Sequence, residues 1–143
     1  MRGRFLVLVL AALLAAGGFV RAESVSSLES RAKSFYDALL AEMGVRRLME
    51  FGDRGYAWAA AMDKPMLCIM KPYDGLPATV GNGVMAGIGV DSRDTVDRIH
   101  KKALELGGTD EGSPGLRAEG GDGFYAAYFR DLDGNKLDVF FYG

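Results

Sequence analysis

The chain has 143 residues, 49% of them hydrophobic and 25% charged, with a formal net charge of −2. That is long enough to bury one core and too apolar for a disordered chain. The charge is near balance and no Lys/Arg stripe runs along any helical stretch, so nucleic acid is not an expected partner.

The first 22 residues differ from the rest. Met1-Arg-Gly-Arg4 is a short basic start, and Phe5 to Ala16 is an unbroken apolar run of twelve. Gly17 and Gly18 interrupt it, and Val20-Arg-Ala22 supplies small residues before Glu23. This is the layout of a secretory signal peptide, and a bilayer span needs about 20 apolar residues. The expectation is export, with residues 1–22 removed and no stable membrane span afterwards. Two other readings stay open: an anchor over residues 5–20, and a buried core segment behind a misassigned start. Cleavage removes Arg2, Arg4 and Arg21 from 17 basic residues, leaving 14 against 19 acidic ones, a net charge of −5. Cys68, the lone cysteine, has no thiol partner and no basic neighbour in sequence, which makes it a small buried hydrophobe before a nucleophile.

Ser26-Ser-Leu-Glu29 fits a capping box, and Ala32, Phe35, Leu39 and Met43 follow at helical spacing until Gly44. Arg46 to Phe51, Gly55 to Met62 and Lys64 to Lys71 read as three strands, with Pro65 at a strand start. Residues 73–82 form a Pro/Gly-rich linker. Val84 to Val90 is a strand, and Asp91 or Ser92 caps a helix that runs to Leu106 and stops at Gly107-Gly108. A glycine-rich stretch, residues 109–123, supplies a short strand and precedes a terminal hairpin.

That hairpin is the plainest local feature. Two aromatic-rich runs flank Asp131-Leu-Asp-Gly-Asn135, where Asp, Asn and Gly accept turn conformations. The turn resembles a calcium loop only superficially, because its flanks are strands and the twelfth position is Tyr142. Gly87-Ile-Gly-Val-Asp-Ser92 likewise lacks the third glycine of a dinucleotide site. Glu111 and Glu119 read as solvated loop acids. Tyr56, Trp58, Tyr125 and Tyr128 sit on strands, where one face packs on a helix and the other can line a cavity. Asp138 lies between Leu137 and Val139, so it points opposite to them.

The chain therefore reads as α+β: two tandem β-α-β-β-β modules, about residues 23–72 and 83–143, within a domain 23–143. The first strand of module 1 is missing or degraded, unless residues 19–25 supply it. In this plan, and in Ser34-Phe-Tyr-Asp-Ala-Leu-Leu40, Lys64-Pro-Met-Leu67, Gly81-Asn-Gly83, the stretch Ala103 to Gly115, and Phe124 to Leu137, the chain resembles the vicinal oxygen chelate superfamily. That group includes glyoxalase I, bleomycin-resistance proteins and extradiol dioxygenases. The resemblance implies an open, cupped sheet around a small-molecule cavity, and a homodimer.

In the metal enzymes of that superfamily, ligands come from the first strand of each module, usually His, and from the last strand, usually Glu. Here Met85 stands where the second His is expected, and Asp138 stands where the Glu is expected. The last strand of module 1 has no acid. The single histidine, His100, falls mid-helix as a surface or half-buried residue. One His and one unpaired Cys cannot build a two-His-one-carboxylate iron or a zinc site. The expectation is a small-molecule binder with no metal and no cofactor. Ligand contacts are expected at Met85, Trp58, Tyr125, Tyr128 and Asp138, and any acid–base role at Asp138. The rivals are an active metal-dependent lyase or dioxygenase, and a catalytically dead interaction or sequestration module.

Overall fold

The computed structural model describes residues 7–11, 25–118 and 122–143, with side chains from residue 31 onward. Two four-stranded sheets and two helices are present among them. In chain order these are β1 (Val7–Ala11), α1 (Val25–Ala41), β2 (Arg46–Glu50), β3 (Gly55–Ala59), β4 (Met66–Met70), β5 (Ala86–Gly89), α2 (Arg93–Glu105), β6 (Thr109–Leu116), β7 (Phe124–Arg130) and β8 (Lys136–Tyr142). One sheet has the order β1-β4-β3-β2 and the other β5-β8-β7-β6. In each, the first strand of a module runs parallel to the last and the other neighbours are antiparallel. Each half is thus one β-α-β-β-β unit.

The first strand of module 1 corrects the sequence reading. It is neither missing nor drawn from residues 19–25: Val25 is already helical, and residues 19–24 lie outside the described residues. Val7–Ala11, inside the apolar run read as a leader, pairs with Met66–Met70 instead. A short continuous apolar run has no periodicity to separate a leader from a buried parallel strand, so sequence alone leaves the two uses unresolved.

α1 starts at Val25, so Ser26 falls inside its first turn; the capping-box side chains lie outside the described ones. Both helices end in the same way. Val45 N–H donates to Leu40 C=O and Gly44 N–H to Ala41 C=O; Gly108 N–H donates to Ala103 C=O and Gly107 N–H to Leu104 C=O. This Schellman closure needs a left-handed residue, and Gly44 and Gly107 have φ of +72° and +95°. α2 is capped by Ser92, whose hydroxyl accepts from Thr95 N–H at 3.2 Å. β6 is the short strand of the reading, longer than expected. Eight residues of the glycine-rich stretch form a strand, with irregular register against β7.

One core joins the modules. Tyr36, Leu39 and Trp58 from the first meet Val96, Ile99, Phe129, Leu137 and Val139 from the second. Tyr36 Oη donates to Asp131 Oδ2 at 2.6 Å, across 95 residues of sequence. Asp131 also accepts from Asn135 N–H at 2.8 Å, Asp133 N–H at 3.0 Å and Asn135 Nδ2 at 2.8 Å. The terminal turn is thereby tied to α1. Burial, then the Asp131 charge, pushes the Tyr36 hydroxyl well above its ordinary range. Both sheets show the core one face, and the opposite face points away from it.

Candidate functional site

Strand alternation decides what the opposite face of the second sheet carries. Leu137 and Val139 are fully buried among the core residues, so Asp138 and Phe140 face the other way. Asp138 pairs with Tyr128 on one side and with Gly87 on the other. Its side chain is buried, and burial raises its pKa; the hydrogen bond from its own N–H and the charge of Lys136 only partly offset this. At Gly87 a Cβ would sit 3.0 Å from Asp138 Oδ1, so the bare glycine leaves the carboxyl its space.

Around this acid lies a polar and aromatic set. Arg130 Nε donates to Glu111 Oε1 at 2.7 Å, and Lys136 Nζ approaches Glu111 Oε2 at 3.6 Å. These contacts, the Arg130 bond first, hold the Glu111 carboxyl below its ordinary range. The Tyr128 ring takes the Arg117 guanidinium at 5.1 Å and the Lys136 ammonium at 5.5 Å from its centroid. Arg117 lies along β6 and donates to the carbonyls of Ser113 and Ala126. The glycines of β6 make that flat approach possible: Arg117 Nη2 is 3.5 Å from where a Cβ on Gly112 would stand. Phe124 and Phe140 pair at 5.5 Å nearby. A groove of about 490 Å³ runs past Met85, Arg130 and Lys136, walled by residues 80–84.

Of the expected contact residues, the structure brings Met85, Tyr128 and Asp138 to this face. Trp58 and Tyr125 lie elsewhere. Trp58 is a core residue whose Nε1 donates to Asp37 at 2.7 Å, and its edge lines a mostly apolar pocket of about 460 Å³ with Met43, Met66, Leu67 and Ile88. Tyr125 faces α2 and donates to Asp97 at 2.9 Å. His100 is buried, not surface or half-buried, because α2 turns it toward β6; its Nε2 lies 2.9 Å from Asp110 Oδ1. A hydrogen bond from Gly112 N–H, then His100, lowers the Asp110 pKa. Sequence reasoning left Glu111, Arg117, Arg130 and Lys136 out of the site. Period-2 counting along β7 and β8 places Arg130 and Lys136 beside Tyr128 and Asp138, but Glu111 and Arg117 needed β6 as a strand.

Cys68 is the counterpart of Asp138. Val9 pairs with Cys68 in module 1 as Gly87 pairs with Asp138 in module 2, each on the last strand of its unit. Cys68 is buried, and burial pushes its thiol up.

No family model matches the sequence, and no curated protein matches it significantly. Solved structures do match. A glyoxalase/bleomycin resistance protein from Albidiferax ferrireducens T118 is 28% identical, covering 97% of this chain and 98% of its own at a TM-score of 0.74. A putative glyoxalase from Bacillus halodurans is 17% identical, covering 97% and 96% at 0.65. A lactoylglutathione lyase from Agrobacterium tumefaciens is 17% identical, covering 99% and 95% at 0.61. The chain has the fold of the glyoxalase/bleomycin resistance/dioxygenase proteins, the vicinal oxygen chelate superfamily.

The residues at the superfamily's metal positions do not fit its His/Glu ligand set. Asp138 is the one carboxylate; Met85, where the resemblance sets the His, precedes β5, Asp138 pairs on β5 with Gly87, and the β1/β4 pair is Val9 and Cys68. Among the described residues no three His, Cys, Asp or Glu side chains come together to hold an ion.

Proposed function

We propose that this is an exported domain that binds a small organic molecule on the face carrying Asp138 and Tyr128, without the metal set of its superfamily. One observation carries the reading: a buried carboxyl on the face away from the core, beside an aromatic ring and the bare backbone of Gly87. A carboxyl so placed accepts a hydrogen bond from a ligand, and its raised pKa suits it to hold and release a proton. Tyr128 supplies a hydroxyl alongside, and the cations of Arg117, Arg130 and Lys136 orient polar groups of the ligand. The rival metal lyase or dioxygenase reading finds no cluster of three such metal donors among the described residues. Export rests on the basic start, the apolar run and Val20-Arg-Ala22. Among the described residues no helix is long and apolar enough to cross a membrane. A homodimer is part of the same proposal, with exposed Val84, Met85, Leu116 and Tyr142 as apolar contact surface.

The test begins with native mass spectrometry of the purified protein to identify a co-purifying small molecule. Asp138→Asn should weaken binding of that molecule by roughly tenfold or more, the worth of one charge-assisted hydrogen bond. Elemental analysis should show no stoichiometric Zn, Fe, Mn or Ni. One equivalent of such a metal, lost in Asp138→Asn, would overturn the reading. N-terminal sequencing beginning at Glu23 supports export, whereas an intact start on cytosolic protein refutes it. Light scattering giving a strict monomer at micromolar concentration refutes the dimer.

A further inference from the structure

The last rung of the terminal hairpin sets two cations side by side. Arg130 on β7 pairs with Lys136 on β8. Each adjoins a fully buried residue, Phe129 or Leu137, so both share the face of Tyr128 and Asp138. Like charges directly opposite across a strand pair destabilise a sheet. One carboxylate answers them: Arg130 Nε donates to Glu111 Oε1 at 2.7 Å, and Lys136 Nζ stands 3.6 Å from Glu111 Oε2. One negative charge against two positive charges leaves the rung cationic. Arg130 Nη1 donates to the Gly134 carbonyl at 2.8 Å. Among the described residues no bond uses Arg130 Nη2, so its two N–H groups remain as donors.

These two cations form one wall of the groove of about 490 Å³, and residues 80–85 form the rest. Glu111 is not part of the wall; it holds the cations from outside the groove. Among the described residues the groove is therefore lined by two cations, the Asn82 amide and glycine backbone, with no acid. Its far side is a tight turn, in which Val84 N–H donates to the Gly81 carbonyl at 3.3 Å and Gly83 has a φ of +88°. That turn is seated on the hairpin: a Cβ on Gly134 would stand 3.2 Å from Val80 Cγ2.

We propose that this groove takes the oxyanion of the bound molecule, a carboxylate or a phosphate group, on Arg130 and Lys136. A planar guanidinium beside an ammonium suits either oxyanion. Arg130 is already fixed by two hydrogen bonds, so little side-chain freedom is lost when the anion enters. The anion also relieves the like-charge rung. For the rest of the molecule this inference rests on the ligand-face reading. Asp138 lies two residues along β8 from Lys136, about 7 Å. The ligand class is then a small organic acid or phosphate ester with a hydrogen-bond donor at about that distance from its charge.

The experiment titrates the ¹⁵N-labelled full chain with sodium phosphate and, separately, with sodium succinate, at constant ionic strength held by sodium chloride. Amide resonances of residues 81–84 and the Arg130 side-chain N–H should shift and saturate in the millimolar range. The anion that binds more tightly names the group. Arg130→Gln and Lys136→Gln should each weaken that binding by about tenfold or more, the worth of one hydrogen bond to a charged group. Circular dichroism checks that each variant is folded, and if one is not, the other decides. No saturable shift with either anion, or unchanged affinity in a folded glutamine variant, overturns the proposal. The two readings fail separately. If phosphate or succinate binds but Asp138→Asn does not weaken the co-purifying molecule, the ligand-face reading falls and the anion groove stands.

Discussion

Asp133 is the residue at which a charge works against the fold. It sits in the turn that ties β7 and β8 to α1, partly buried beside Asp131. Burial, then repulsion from Asp131, pushes its carboxyl up to about 6 from 3.8, with Arg31 offsetting a part. A group whose folded pKa is raised binds its proton more tightly in the native state. Its ionisation therefore removes stability as pH rises from about 4 through about 6, and the full cost is present above that. The gap corresponds to about 3 kcal/mol, trimmed to about 2–3 kcal/mol by residual solvent screening. Asp133→Asn keeps the shape and removes the charge. Urea unfolding at pH about 8 should show the variant more stable by about 2–3 kcal/mol, and the gain should shrink toward zero at pH about 4. A variant no more stable than the parent at the higher pH refutes the reasoning. A gain equal at both pH values also refutes it, since that would be a packing effect.

Tyr36→Phe removes the hydroxyl from a buried, charge-assisted bond while Asp131 keeps its other donors; the expected loss is about 2 kcal/mol in urea unfolding at neutral pH. Gly55→Ala forces a Cβ to 2.1 Å from the Ile69 carbonyl oxygen, at φ of +152°; the expected cost exceeds about 3 kcal/mol or abolishes folding, read by thermal unfolding. Asp138 adds a smaller pH term of the same sign as Asp133, because burial raises its pKa too. Asp138→Asn should therefore raise stability at pH about 8 relative to pH about 4, even as it weakens ligand binding.

Much of the module plan was legible because its signals are local. Helical spacing marked α1 and α2, glycines marked their ends, and the Asp/Gly/Asn turn marked the last hairpin. The side of the sheet to which Asp138 belongs followed from alternation with Leu137 and Val139. What escaped the sequence depends on partners far along the chain. β6 is glycine-rich because Arg117 lies flat on it and Tyr128 approaches it closely, and a glycine-rich segment reads as a loop when that neighbour is unseen. Trp58 and Tyr125 read as aromatics of one cavity, yet Asp37 and Asp97 on the two helices take their polar atoms, and Trp58 edges a different, apolar pocket. His100 reads as surface or half-buried for the same reason: its partner, Asp110, lies on β6, whose extent and register the sequence does not give.

The N-terminal run shows where local pattern stops deciding. Leu, Val and Ala in an unbroken stretch satisfy an export channel, and they equally satisfy a parallel strand against Met66–Met70. The two uses exclude each other in one molecule. With residues 7–11 in place, the β4 edge is paired and the first sheet has four strands like the second. A cut after Ala22, if the proposed export holds, would take its partner strand from the backbone of Met66–Met70, and an open edge of that kind is one that proteins cover or pair. Such a cut would therefore bear on the first sheet as much as on location, because the strand removed would be the one in register with Cys68.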